Sequence, residues 1–223
     1  TYVKEIFMRE TIIQKVYEHK IIAIVRGMDK EKTVKIAKAL YEGGIRFVEV
    51  TFNQKNPDKF YETAECIRAI REEMGDKMYV GAGTVTSAAL VDMAAEAGAL
   101  YIISPDTDLE VIRRTRELGL VSMPGAYTPT EAKTAYNAGA DFIKLFPCVG
   151  DGPGYVKAVC APFNHIPFMA VGGVDVNNAA SYLKAGAVGV GVGSSLAKKA
   201  WADAGEYYKI TEEAKKMIEI INK

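Results

Sequence analysis

The sequence is poor in the residues that build metal centres and covalent staples. Its 223 residues include two histidines, His19 and His165, and three cysteines, Cys66, Cys148 and Cys160. There is no CxxC, no HxxxH and no tight acidic cluster, so a transition-metal site built from protein ligands is not expected. No cofactor is expected either. An odd, scattered set of thiols suggests reduced cysteines in a cytoplasm and not a disulfide framework. Net charge is also missing: Lys plus Arg and Asp plus Glu number 28 each. That balance leaves no bulk attraction for nucleic acid or an anionic membrane. No apolar run reaches the length of a membrane span, and no signal-peptide pattern opens the chain. Composition does not shift along the chain and no linker interrupts it, so residues 1–223 are expected to form one domain.

What is present is a regular alternation of short apolar runs and amphipathic segments. A leading helix is expected from about Thr1 to Lys20, with Ile6, Ile12, Ile13 and Val16 at helical spacing and placed to plug one end of a barrel. Strands follow at Ile21–Val25, Ile45–Phe52, Lys77–Ala82, Leu100–Ser104, Leu120–Met123, Asp141–Pro147, Phe168–Val171 and Ala187–Val192. Helices are expected between them, at about 30–42, 57–74, 87–97, 109–118, 129–138, 154–160 and 177–185. Thr128 is a good N-cap for the fifth of these. The tail is expected to be helical from about Ser195, with a break at Ala204-Gly205 and a closing helix from Tyr207 to Ile220. Strands alternating with helices imply a parallel sheet, and eight such units in this length point to a (β/α)₈ TIM barrel with an N-terminal helix. Repeated helix stops support this: Glu42-Gly43-Gly44, Glu96-Ala97-Gly98-Ala99, Asn137-Ala138-Gly139-Ala140 and Lys184-Ala185-Gly186-Ala187. An open doubly wound sheet would want a GxGxxG after the first strand, and Val25-Arg26-Gly27-Met28 lacks it.

Two charged residues stand in strands that should be buried. Lys144 lies between Phe142 and Phe146 on one face of its strand, with Ile143 and Leu145 on the other. Desolvation disfavours its ammonium form and makes the free amine available as a nucleophile. Glu49 shares a face with Phe47, Thr51 and Asn53, while Val48, Val50 and Phe52 face the helices. A carboxylate pointing into the barrel needs a cation, and Lys144 and Arg26 are the candidates. The pair could be a structural ion pair filling the barrel. It is also a nucleophile beside a base, the design for amine-based covalent catalysis.

In such barrels the chemistry collects at the C-terminal ends of the strands. The third strand ends in Gly81-Ala82-Gly83-Thr84, where glycines would let a ligand approach and Thr84 can donate to a carboxylate. The fourth ends at Ser104-Pro105, a rigid turn. The seventh and eighth end in Val171-Gly172-Gly173 and Gly191-Val192-Gly193-Ser194. Glycine-rich loops at these two places are expected to hold a phosphate dianion with backbone N–H groups and a short helix N-terminus.

The motifs EGGIRFVEVTFN, VGAGTV, IISPD, MPGAYTPTE, FIKLFP, AVGGV and GVGSSL occur in this order. As a set they resemble the 2-keto-3-deoxy-6-phosphogluconate aldolase / 4-hydroxy-2-oxoglutarate aldolase family, from about Ile21 to Leu196. The resemblance implies a class I aldolase that needs no metal and assembles as a homotrimer. It implies Lys144 as the Schiff-base lysine and Glu49 as the general acid/base. Thr84 and Pro105 would line the pyruvyl pocket, Phe146 would pack on the pyruvyl methylene, and Gly172, Gly173, Gly193 and Ser194 would hold the phosphate of a keto-acid phosphate substrate. Gluconate-type members carry arginine where Asn53 stands and often threonine where Val171 stands. With Arg26-Gly27, these departures look more like the 6-phosphogalactonate branch, and Arg26 would take part of the missing arginine's role. Another phosphate-binding barrel, an isomerase or synthase in which Lys144 is only electrostatic, is the competing reading, and a non-catalytic scaffold barrel is a second.

Overall fold

The short apolar runs become the staves of a barrel in the computed structural model, which describes residues 2–150 and 152–222. Strands β1 (Ile21–Val25), β2 (Phe47–Thr51), β3 (Tyr79–Gly83), β4 (Tyr101–Ile103) and β5 (Val121–Met123) pair in parallel one after another. Strands β6 (Gly125–Ala126), β7 (Ile143–Leu145), β8 (Phe168–Val171) and β9 (Gly189–Val192) continue the ring, and β9 pairs back onto β1. Segments β5 and β6 are one stave broken at Pro124. Proline has no N–H to give a ladder, yet its carbonyl accepts from the Lys144 N–H at 2.9 Å. The stave thus meets β4 through β5 and β7 through β6, closing the barrel. It is the expected (β/α)₈ arrangement with an added N-terminal helix.

Side-chain parity follows the two-residue period of a strand. Ile22 and Ile24, Phe47, Tyr101 and Ile103, Phe142, and Met169 and Val171 fill one buried cluster in the barrel interior. Ala23 and Val25, Val48 and Val50, and Ile143 and Leu145 belong to the second cluster, between barrel and helices. Ile12 and Val16 of α1 (Tyr2–His19) join the interior cluster, so the leading helix plugs the end of the barrel opposite the loops that follow the strands. The Ile6 side chain lies outside the described residues. Asp141, just before β7, ties this plug in place. Its carboxylate accepts from Arg9 of α1, from Arg116 at 3.2 Å and from the Ser122 N–H at 2.9 Å.

The repeated helix stops share one geometry. Helices α2 (Lys30–Glu42), α4 (Ala88–Glu96), α6 (Pro129–Asn137) and α8 (Ala179–Lys184) each run into a glycine with φ between +92° and +111°. One residue later an N–H reaches back five positions, as from Ile45 to Leu40 at 2.9 Å and from Ala99 to Ala94 at 2.9 Å. This is the Schellman closure, which turns the chain sharply from helix to strand. Thr128 caps α6 as expected, in a reciprocal capping box with Glu131. Elsewhere the boundaries shift. The long third helix splits into a 3-10 turn at Pro57–Lys59 and α3 (Phe60–Met74). The tail is not helical from Ser195. A turn closes on the Gly193 carbonyl, and helix α9 begins only at Lys199 (Lys199–Asp203), followed by α10 (Tyr207–Ile221).

Candidate active site

Glu49 and Lys144 lie on inward positions of β2 and β7, 2% and 6% exposed. Among the described residues neither forms a hydrogen bond or a direct ion pair with another side chain. The structural ion pair that the sequence allowed is therefore not what fills the barrel. They feel each other through space. Burial pushes the Glu49 carboxyl above its ordinary value, against the pull of Lys144 and Arg26. Burial holds the Lys144 ammonium below the usual lysine range; Glu49 opposes this and Arg26 adds to it. The result is a lysine that gives up its proton more readily than a surface lysine, beside a carboxyl that keeps one more readily. The Lys144 nitrogen stands 4.7 Å from the centre of the Phe146 ring. Phe142 lies buried at the next inward position below.

Two cavities open above this pair. One, of about 410 Å³, is lined by Lys144, Thr84, Pro105, Asn53, Arg26 and Phe146, together with Gln54. The other, of about 520 Å³, is lined by Val171, Gly172, Gly173, Gly193 and Ser194. Arg26 and Phe146 stand in the walls of both. Glu49 lines a narrow apolar well beneath, shared with Lys144 and Val171. The fold thus gathers every site residue expected from the sequence at one end of the barrel. Arg26 is exposed and forms no ion pair with a described residue, so its charge is available to a ligand at the junction of the two cavities.

The glycine-rich loops are suited to an anion. Gly172 and Gly173 have φ of +98° and +71°, a backbone region open mainly to glycine. The N–H groups of Gly173, Ser194 and Ser195 have no acceptor among the described residues. The Gly193 carbonyl takes the N–H of Leu196 and of Ala197, each at 3.0 Å. The short helix expected at this loop is therefore replaced by a hydrogen-bonded turn, and the next helix starts six residues after Gly193.

The glycines of β3 do something other than admit a ligand. A Cβ at Gly81 would stand 2.2 Å from the Tyr101 ring, and one at Gly83 would stand 1.7 Å from Glu49 Oε1. Gly81 makes room for Tyr101, whose hydroxyl donates to the Val48 carbonyl at 2.7 Å, one residue before Glu49. Gly83 makes room for the Glu49 carboxyl itself. Gly83→Ala should therefore push Glu49 aside. A displacement of about 1 Å costs on the order of 10²-fold in rate, so kcat/KM should fall by about that factor in a variant whose circular dichroism is unchanged. Full activity in Gly83→Ala would show that Glu49 need not sit where it does.

Sequence reasoning missed Gln54, Tyr101 and Ser195. Gln54 follows Asn53 directly, but its partners lie on another loop. Tyr101 could have been found from Gly81, because a glycine inside a strand often marks a bulky neighbour. Ser195 adjoins Ser194 and had no separate signal.

The sequence model of the KDPG and KHG aldolases matches residues 12–213. The chain belongs to this aldolase family. It is 38% identical over 177 residues to the 2-dehydro-3-deoxy-6-phosphogalactonate aldolase of Escherichia coli (strain K12), an overlap of 79% of this chain and 83% of that protein. It is 30% identical over 212 residues to the 2-dehydro-3-deoxy-phosphogluconate aldolase of Treponema pallidum (strain Nichols), covering 95% and 98% of the two chains. Among solved structures, one of native KDPGal superposes with a TM-score of 0.81 at 34% identity, over 91% of this chain and 94% of that one. The span matched by the KDPG and KHG aldolase family runs from the plug residue Ile12 past the loop at Ser194.

Proposed function

We propose that this member of the aldolase family cleaves 2-keto-3-deoxy-6-phosphogluconate, or its C4 epimer, to pyruvate and glyceraldehyde 3-phosphate through a Schiff base on Lys144. Cleavage of 4-hydroxy-2-oxoglutarate to pyruvate and glyoxylate is a second activity of the same site. The observation that carries this reading is the Lys144 amine: buried, unpaired, its pKa held down, and open to a cavity lined by Thr84 and Pro105.

Neutral Lys144 attacks the C2 ketone, and Glu49 carries protons as the carbinolamine loses water. The resulting iminium is an electron sink. Glu49 takes the proton from the C4 hydroxyl, the C3–C4 bond breaks, and its electron pair is held as an enamine on Lys144. The aldehyde leaves. The enamine is protonated at C3, and water releases pyruvate and the free amine. Thr84 supplies donors for the carboxylate, and Phe146 packs on the pyruvyl methylene. Arg26 and Asn53, in the wall of the same cavity, contact the substrate, and Arg26 takes part of the carboxylate-binding role of the arginine that Asn53 replaces. Val171 lines the second cavity, at the position where gluconate-type members often carry threonine. Gly172, Gly173, Gly193 and Ser194 bind the phosphate.

The relatives among 6-phosphogalactonate and phosphogluconate aldolases support a phosphorylated keto acid as substrate. The family resemblance supports a homotrimer of single barrels, each formed by residues 1–223, which sedimentation equilibrium would test. Three free buried cysteines support work in a reducing cytoplasm. No helix among the described residues is long and apolar enough to cross a membrane.

The test is reductive trapping. Borohydride with pyruvate should add a stable three-carbon group to Lys144 and inactivate the enzyme. A peptide map that places the adduct on another lysine, or finds none, would end the Schiff-base reading.

A further inference from the structure

The one β-branched residue with a left-handed backbone among the described residues is Thr84, with φ of +56°. Such a conformation is unfavourable for threonine and persists only where its surroundings impose it. The flanks are fixed by the barrel: the Gly83 carbonyl accepts from the Phe52 N–H at 2.9 Å, and the Val85 N–H donates to the Ile103 carbonyl at 3.2 Å. The peptide between them is gripped by a side chain from another loop. Gln54 Nε2 donates to the Thr84 carbonyl at 2.8 Å, and Gln54 Oε1 accepts from the Thr86 hydroxyl at 3.2 Å. This uses both ends of the amide, a donor and an acceptor at one reach, which neither glutamate nor asparagine reproduces.

With its carbonyl taken up by Gln54, Thr84 keeps its N–H and hydroxyl without acceptors among the described residues. Thr84 lines the cavity that also contains Lys144. We propose that Gln54 is a positioning residue: it holds Thr84 in its left-handed conformation so that these two donors meet the carboxylate of the keto acid bound at Lys144. The inference rests on the Schiff-base reading above. It adds a residue that touches neither the amine nor the reacting carbons. Gln54 lies five positions beyond Glu49, so it also links the loop after the glutamate strand to the loop that binds the carboxylate.

The experiment measures reductive trapping of pyruvate as a function of pyruvate concentration. Trapping at Lys144 in the unaltered enzyme comes first; its failure would sink the Schiff-base reading and is seen without any Gln54 variant. Given that trapping, Gln54→Ala should raise the half-saturating pyruvate concentration about tenfold while the limiting trapping rate changes by less than about twofold, since one carboxylate contact is worth roughly a factor of ten. Gln54→Glu keeps the acceptor but loses the donor, and should do no better than Gln54→Ala. Thr86→Val removes only the acceptor's partner and should have the smaller effect. A loss of structure alone would lower the melting temperature without this split. The decisive step is a double-mutant cycle with Thr84→Gly, because glycine takes a positive φ without strain. In that background Gln54→Ala should no longer move the half-saturating concentration. An unmoved half-saturation in Gln54→Ala, or an equal shift with Thr84→Gly present, would overturn the proposal.

Discussion

Glu49→Gln should lower the turnover of aldol cleavage by about 10²–10⁴-fold, the range for losing a positioned general acid/base. The amide fits the space that Gly83 leaves, so the fold should survive. The same variant should move the pH dependence of pyruvate trapping in a set direction. The Glu49 charge raises the Lys144 pKa, while burial and Arg26 lower it. Removing the carboxylate leaves only the two lowering influences, so the half-point of trapping should move to lower pH. Trapping itself should be slower, yet still map to Lys144. Turnover equal to that of the unaltered enzyme would return Glu49 to a space-filling role, and a half-point moving to higher pH would contradict this balance of charges around Lys144.

The other large effect is expected at the glycine-rich loops proposed to bind the phosphate. Gly173 is a poor place to test them, because its φ of +71° makes any side chain strained. At Gly193 an added Cβ would meet only Ile24, at 3.9 Å. Gly193→Asp therefore adds a carboxylate at a position with room for its Cβ and no left-handed φ to strain it. Against a phosphate dianion in a partly desolvated site, the repulsion is on the order of a few kcal/mol. kcat/KM for the 6-phosphorylated substrate should fall by about 10²–10³-fold. For 4-hydroxy-2-oxoglutarate, which carries no phosphate, the fall should be at least about tenfold smaller. Equal losses on both substrates in a folded variant would mean that these loops do not bind the phosphate.

Much of the site was legible because strand periodicity is a local property. Phe47-Val48-Glu49-Val50 and Phe142-Ile143-Lys144-Leu145 carry their inward and outward faces in the order of their residues. The barrel sorts them that way, into the interior cluster and the outer one. The helix stops were legible for the same reason, since a glycine after an amphipathic run has one common use. The grip of Gln54 on Thr84 was not, because it joins residues on different loops and has no period. The purpose of Gly81 and Gly83 was misread for a related reason. A glycine announces missing volume, but only the fold tells whether a ligand or a neighbouring side chain takes it. The break at Pro124 was not anticipated either. Both halves of that stave are too short to register as separate apolar runs, and the pairing of each half depends on a different neighbour.

The plug formed by Ile12 and Val16 has a consequence for traffic through the site. Among the described residues, the barrel is stoppered at the end that Ile12 and Val16 fill, and the cavity lined by Lys144 opens as a well among the loops at the other. If Lys144 carries the Schiff base proposed above, whatever is bonded to it would sit deepest, and the phosphorylated aldehyde would lie between it and solvent. The products should then depart in sequence, aldehyde first and pyruvate last. Product inhibition should show that order, with pyruvate competitive against the keto-acid phosphate and the aldehyde noncompetitive. While an aldehyde analogue occupies the mouth, the methyl protons of bound pyruvate should exchange with deuterated water more slowly than when the well stands open.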